Sequence, residues 1–155
     1  MITKIVSGGQ TGVDRAALDA AIEQGIPHGG WCPKGRRAED GPISAHYTLT
    51  ETPLADYPQR TEWNVRDSDG TLILMSGPIC GGTLMTIQIA KILGKPHLVV
   101  DLDAGLAAAE VVQWAAANRI AVLNVAGPRE STSPGCYEKA RVFLLVVINS
   151  MRAAF

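Results

Sequence analysis

Two glycine-rich segments, each placed between an apolar run and a helical pattern, constrain the fold most strongly. The first spans Gly8–Gly12 and the second spans Gly77–Thr83. A strand that ends in glycines and leads into a helix exposes backbone N–H groups at the positive end of the helix dipole. Such a place favours phosphate or another oxyanion, although glycines also serve tight turns. Because the arrangement occurs twice, an anionic ligand is the leading hypothesis.

Short apolar runs alternate with helical patterns along the whole chain. The runs predict strands over 2–7, 28–32, 71–75, 97–102 and 120–125. The helical patterns predict helices over 13–24, 61–67, 83–93, 106–118 and 134–151. Between them, the proline-containing segment 33–58 has few periodic apolar positions, so we expect a long loop there with a possible short strand near 47–49.

Strands separated by helices imply right-handed crossovers and a parallel sheet that is covered on both faces. A chain of 155 residues has the size of one domain. We therefore predict an α/β protein: a single three-layer Rossmann-like domain over 1–155, with a mainly parallel sheet of about five strands and helices on both faces.

Composition excludes several classes of function. The 14 basic and 15 acidic residues give a net charge of -1, whereas a domain that binds extended nucleic acid usually has a basic excess. The longest apolar tract, 142–148, is too short to span a membrane. Three cysteines without CxxC spacing argue against disulfides and structural zinc. With no signal-peptide pattern at the start of the chain, we expect a cytoplasmic protein. The three histidines show no metal-ligand spacing, so no metal-binding residue is predicted.

Ligands of open parallel sheets bind outside the carboxyl ends of the strands. Four polar or glycine-rich segments are predicted to meet at that edge: Gly8–Gly12, Gly77–Thr83, Asp101–Gly105 and Gly127–Ser133. The spacing is neither the GxGxxG dinucleotide fingerprint nor the Walker motif with its lysine. NAD and ATP in their usual binding modes are therefore not supported.

Basic side chains supply the second set of candidates. Lys34, Arg36 and Arg37 form either a solvated loop or a lid over an anion. Arg15 opposes the helix dipole, which indicates either a nearby ligand charge or pairing with Asp19. With the smaller group around Arg129, the candidate ligand-binding residues are Gly8, Gly9, Gln10, Thr11, Gly12, Arg15, Lys34, Arg36, Arg37, Gly81, Gly82, Thr83, Arg129 and Ser131.

Several long segments resemble the putative molybdenum carrier family. They are SGGQTGVDRAALD at 7–19, GWCPKGRRAEDG at 30–41, TEWNV at 61–65, DSDGT at 67–71 and NVAGPRES at 124–131. The resemblance covers nearly the whole chain. It implies a binding or carrier protein for a phosphorylated small molecule, with the molybdenum cofactor, a pterin that carries a phosphate, as the expected ligand.

That family is similar to a wider Rossmann-like group that includes the cytokinin-activating phosphoribohydrolases. Their PGGxGTxxE motif is shortened here to Gly81-Gly82-Thr83, and Thr86 stands at the glutamate position. The resemblance thus keeps phosphate binding and loses the catalytic carboxylate, so no catalytic residue is predicted. A carrier of an anionic small molecule leads, and a nucleotide-processing enzyme with acids drawn from Glu39, Asp40, Asp69 or Glu130 is the alternative.

Self-association is the last expectation from the sequence. The segment Leu144–Ile148 is apolar around nearly the full circumference of its predicted helix. A dimer or tetramer would bury the surplus, and the related families are often oligomeric. A helix that is packed on all sides within one subunit is the alternative.

Overall fold

The computed structural model describes residues 1–105 and 108–154 and confirms the α/β prediction. Five strands form one parallel sheet: β1 (Lys4–Val6), β2 (His28–Gly29), β5 (Gly70–Met75), β6 (His97–Asp101) and β7 (Val122–Ala126). Their order across the sheet is β2-β1-β7-β5-β6. A separate two-stranded parallel sheet joins β3 (Trp31–Cys32) to β4 (Thr50–Glu51).

Five helices cover the sheet on its two faces. They are α1 (Val13–Glu23), α2 (Tyr57–Arg66), α3 (Gly81–Ile92), α4 (Ala108–Ala117) and α5 (Cys136–Ala154). On one face α5 packs against α1 and α4, and on the other α2 packs against α3. This division follows from right-handed crossovers. Helices α1 and α4 lie in connections that run across the sheet toward β2, whereas α2 and α3 lie in connections that run toward β6, and the two directions place helices on opposite faces.

The core lies mainly between the sheet and the layer that contains α5. Every residue of β5 is buried, as expected for a central parallel strand. The small side chains of Ala16, Ala17, Ala20 and Ala21 are fully buried on α1 and let α5 approach closely. Of the apolar α5 segment, Leu144, Val147 and Ile148 are buried within the subunit, whereas Val146 is 38% exposed.

Several element boundaries differ from the predictions by a few residues, and three of these differences concern the segment between β1 and β5. The strand expected over 28–32 is divided at Gly30, where φ is +124° and a Cβ atom would overlap the carbonyl oxygen of Ser7. Helix α2 begins at Tyr57 rather than at 61, with Pro58 in its first turn. The extra strand lies at Thr50–Glu51 instead of 47–49. The predicted start of α4 at 106 lies outside the described residues.

The long loop after β3 is built around its own small core. Cys32, Ala38 and Ile43 are buried together, with Tyr47 and Leu49 packed against them. Arg36 holds this loop from within, since its guanidinium donates to the carbonyl oxygens of Ile43 (2.8 Å), Ser44 (2.7 Å) and Tyr47 (2.8 Å). The segment is therefore an ordered part of the fold.

The start of the chain lies close to the carboxyl-terminal part of α5. Met1 and Ile2 line small apolar hollows with Met151. None of the described helices is both long enough and apolar enough to cross a membrane.

Candidate functional site

A cavity of about 310 Å³ opens at the carboxyl ends of β1, β5 and β7. This is the edge at which ligands of open parallel sheets bind. Six of the predicted residues line it: Gly8, Gln10, Gly81, Gly82, Thr83 and Arg129. Both glycine loops therefore meet in one cavity, which α2 closes on a further side.

The amino end of α3 forms one wall of the cavity. Helix α3 begins at Gly81, and its first backbone bond joins the Leu84 N–H group to the Cys80 carbonyl oxygen (3.0 Å). The N–H groups before Leu84 have no intrahelical partner. Gly81 and Gly82 are exposed, have no positive φ, and would place a Cβ atom in open space. Within the part of the chain that the structure describes, neither packing nor backbone conformation requires glycine at these two positions.

Gln10 lines the same cavity and carries an unused donor. Its Oε1 accepts the N–H groups of Thr11 (3.0 Å) and Glu39 (2.9 Å), which settles the orientation of the amide. The opposite atom, Nε2, is buried and has no acceptor among the residues that the structure describes. A buried donor without an acceptor costs about 1 to 3 kcal/mol, so an acceptor placed next to Nε2 would stabilise this arrangement.

A buried ion pair crosses the floor of the cavity. Arg60 Nη1 lies 2.7 Å from Asp14 Oδ2, and the Gln10 N–H group donates to the same carboxylate (3.3 Å). Gly8 makes the pair possible, because a Cβ atom there would overlap the guanidinium of Arg60. Asp14 is the one carboxylate among the described residues that line the cavity.

Three guanidinium groups surround the ring of Tyr57 at the mouth of the cavity. The Cζ atoms of Arg37, Arg60 and Arg129 lie 4.8, 5.3 and 5.2 Å from the ring centroid. Cations on an aromatic face are held by the ring quadrupole. Arg60 Nε is also buried without an acceptor among the described atoms. This side of the cavity therefore carries positive charge.

Glu39 connects the basic loop to the two loops beside it. It accepts bonds from the hydroxyl of Thr11 and from the N–H (3.2 Å) and hydroxyl (2.5 Å) of Ser131, and Arg129 Nη1 lies 3.8 Å away. Partial burial favours the neutral acid, but these bonds outweigh it and lower the pKa of Glu39. Thr11 and Ser131, both predicted to contact the ligand, thus have their hydroxyls directed to Glu39.

The remaining predicted residues lie outside the cavity lining. Arg15 pairs with Asp40 (2.7 Å) rather than with Asp19, and it also donates to the Gly9 carbonyl oxygen (3.0 Å). Lys34 is exposed. A Cβ atom on Gly9 or Gly12 would overlap neighbouring protein atoms, so both glycines are required by packing. Arg36 holds the loop described above, and Arg37 lies over the ring of Tyr57 and donates to the carbonyl oxygen of Ala55 (3.2 Å).

The acids considered for an enzyme have structural partners instead. Asp69 Oδ2 accepts the N–H groups of Ala121 (3.0 Å) and Val122 (2.7 Å). Glu130 accepts the N–H groups of Gly135 (2.6 Å) and Tyr137 (3.2 Å) at the start of α5. None of the four acids proposed from the sequence lines the cavity. Within 1–105 and 108–154, no three His, Cys, Asp or Glu side chains are grouped to hold a metal ion.

Tyr57 and Arg60 are the site residues that sequence analysis missed. Both belong to the first turn of α2, which was predicted to begin at 61, so they were assigned to the loop. The sequence did carry a signal, because Asp56 followed by a proline two residues later is a common helix start. Asp14 was interpreted only as a residue that favours the helix dipole.

Comparisons with known proteins agree with the overall fold. The Circularly permutated YpsA SLOG family matches residues 5–148. The crystal structure, at 1.45 Å resolution, of a protein named putative molybdenum carrier protein from Syntrophus aciditrophicus SB has a TM-score of 0.90 and 48% sequence identity, and 95% of each chain is covered. No curated protein matches the chain. The resemblance found in the sequence is confirmed.

The strand order explains the permutation. If β7 is counted as the first strand, the order β2-β1-β7-β5-β6 becomes 3-2-1-4-5, which is the Rossmann order. The direction of strand progression then reverses between β7 and β5, and the cavity lies at that point. On the family match and on this topology, the chain belongs to the Circularly permutated YpsA SLOG family.

Proposed function

We propose that this protein binds and carries a phosphorylated small molecule in the cavity. The observation that supports this proposal most strongly is the pair Gly81 and Gly82. These glycines leave the amino end of α3 open, and no contact among the described residues requires glycine there. Backbone N–H groups at a helix start bind phosphate through hydrogen bonds and the helix dipole. The unpaired Nε2 of Gln10 and the guanidinium groups of Arg60 and Arg129 add donors around the same space.

The size of the cavity limits the ligand. Small-molecule sites usually enclose about 300 to 1,000 Å³, and about 310 Å³ lies at the lower end. A mononucleotide or a pterin with one phosphate suits this volume better than a dinucleotide. The donor set fits the phosphate of the molybdenum cofactor: Gly81, Gly82 and Thr83 would hold the phosphate, and Gln10 would donate to an acceptor on the remainder. The name of the crystallised relative, putative molybdenum carrier protein, supports a cargo that contains molybdenum.

Substitution at Gly82 tests the site. We expect Gly82→Val to weaken binding of AMP about a hundredfold, equivalent to about 2.7 kcal/mol, because the side chain would occupy the phosphate position. Gly82→Ala should weaken binding less. Neither change should lower the melting temperature, since alanine and valine are better helix formers than glycine. Titration calorimetry with AMP and with inorganic phosphate measures the affinity.

The matched control is Gln88→Val, an exposed position on the same helix outside the cavity. It should leave AMP affinity unchanged. Unchanged affinity in a well-folded Gly82→Val protein would instead exclude the amino end of α3 as the phosphate site. Mass spectrometry of gently purified protein would identify a pterin or nucleotide that remains bound.

We further propose a homo-oligomer in the cytoplasm. Val142 and Val146 lie exposed on α5, at 49% and 38%, next to the apolar face that the subunit already buries. Such neighbouring apolar side chains favour a contact between subunits. The three cysteines are free thiols, which suits a reducing compartment.

A further inference from the structure

Cys80 is the cysteine that opens onto the cavity. Cys32 and Cys136 are fully buried, whereas Cys80 is partly exposed and lies immediately before α3. Its sulfur lies 3.2 Å from Thr83 Oγ1 and lines the cavity. A reagent that enters the cavity from solvent therefore meets one thiol of the three.

The sulfur lies beside the donors that the phosphate would use. Burial favours the neutral thiol, but the Thr83 hydroxyl, 3.2 Å from the sulfur, and the neighbouring N–H groups of Thr83 and Gly82 outweigh it and lower the pKa of Cys80. The charged residues that line the same cavity are Asp14, Arg60 and Arg129. The thiolate is the reactive form of cysteine, and a position at the start of a helix favours the thiolate.

The surroundings of the other two thiols favour the neutral form instead. Burial raises the pKa of Cys32. Burial, together with the neighbouring carboxylate of Glu130, raises the pKa of Cys136 to about 12. Neither thiol should react in the folded protein, so they serve as internal controls.

A second feature points independently to a ligand in this cavity. Gln10 is 4% exposed and lines the cavity, and its Nε2 has no acceptor among the described residues. This donor belongs to the loop after β1, not to α3. A ligand that satisfies Gln10 and the amino end of α3 together would lie beside the sulfur of Cys80.

We infer that Cys80 is a thiol-modification site, where reaction with a small disulfide or another soft electrophile and binding of the oxyanion exclude each other. The exclusion rests on the proposed function. In the reaction with a disulfide, the Cys80 thiolate attacks one sulfur, a new S–S bond forms, the original S–S bond breaks, and the second sulfur leaves as a thiolate. Cys80 is oxidised and the small disulfide is reduced.

Alkylation tests the reactivity alone. Iodoacetamide should modify one thiol per folded chain, with the rate measured by mass spectrometry from about pH 5 to pH 9. The midpoint of the rate profile should lie below that of the same chain in denaturant. Cys80→Ser should abolish the reaction, and Thr83→Val should move the midpoint upward because one donor to the sulfur is lost. A midpoint equal to that of the unfolded chain would overturn the inference.

The second arm tests the exclusion. Inorganic phosphate at ten times its Kd should slow the alkylation about tenfold, because about a tenth of the sites remain free. Full modification with dithiodipyridine, a neutral disulfide, should abolish phosphate binding, and a reducing agent should restore it. If phosphate binds but neither effect appears, the inference fails and the proposed function stands. If phosphate does not bind the unmodified protein, the proposed function fails with the exclusion, and the alkylation profile still decides the reactivity of Cys80.

Discussion

At the scale of single residues, two cavity glycines lack a side chain for different reasons. Gly8 leaves room for the guanidinium of Arg60, a protein group. Gly82 leaves room that no atom of the described residues occupies. Substitution should therefore affect stability at the first position and ligand binding at the second.

We expect Gly8→Ala to lower the free energy of unfolding by about 1 to 3 kcal/mol, the usual cost of overpacking. The added methyl group would overlap Arg60 and disturb its ion pair with Asp14. Denaturant unfolding measures the loss. In the Arg60→Ala background the same change should cost less than about 0.5 kcal/mol, and an equal cost in both backgrounds would contradict the steric explanation.

Because residue 86 is a threonine, we predict that the bound ligand is not cleaved. Its hydroxyl donates to the Gly82 carbonyl oxygen (3.1 Å), and its side chain lines the cavity where the related phosphoribohydrolases carry a glutamate. A hydroxyl does not act as an acid or base near neutral pH. Incubation with AMP or a cytokinin monophosphate should therefore yield no free base by chromatography.

Turnover on the order of one per second would overturn this prediction and favour the enzyme alternative. Thr86→Glu is the informative comparison, because it restores the carboxylate of the related enzymes. Slow release of base by this variant alone would identify the missing group and support the binding half of the site.

At the scale of elements, Glu39 holds together the loops that follow β1, β3 and β7. It bonds Thr11 in the first loop and Ser131 in the last, while its own N–H group donates to Gln10. The orientation of the Gln10 amide therefore depends on the position of the loop that carries Glu39. These loops should lose their arrangement together.

We expect Glu39→Gln to lower the free energy of unfolding by about 1 to 2 kcal/mol near neutral pH, because hydrogen bonds to a charged acceptor become neutral ones. The pKa of Glu39 is lowered in the folded state from its ordinary value of 4.5. Its contribution is therefore present above that value and is lost as the pH falls through the lower, folded-state pKa.

Unfolding of the wild-type and Glu39→Gln proteins at a series of pH values checks this dependence. The difference between them should stay constant from neutral pH to about pH 5 and close at lower pH. Glu62→Gln, at an exposed position on α2, is the matched control and should differ little from wild type. A difference that widens on acidification would contradict the assignment.

The parts of the fold that could be predicted are those with local causes. The alternation of apolar runs and helices was sufficient for the parallel sheet, and the two glycine loops were sufficient to place Gly8, Gln10 and Gly81–Thr83 in one cavity. Pairings across long sequence separations could not be predicted. Arg60 reaches Asp14 over 46 positions, and Glu39 reaches Ser131 over 92, and neither partner is marked by a local pattern.

At the scale of the whole molecule, the exposed valines of α5 bear on self-association. We expect sedimentation to show a dimer or tetramer at a protein concentration of roughly tens of micromolar. Val142→Glu should produce monomers, because it places a charge at the contact. The control is Ile92→Glu on α3, at a position that is 83% exposed. Dissociation by the control instead would move the interface to α3, and a monomeric wild-type protein would refute self-association.

The closeness of the start of the chain to the carboxyl-terminal part of α5 also determines how the protein can be attached to something else. Met1 and the end of α5 lie at the amino edge of the sheet, because α5 starts beside the loop after β7 and runs back to Met151. The mouth of the cavity lies at the opposite edge. A tether, tag or fused domain at either end would therefore leave the mouth open. If the protein were attached to a surface by both ends, the cavity of every molecule would face away from that surface.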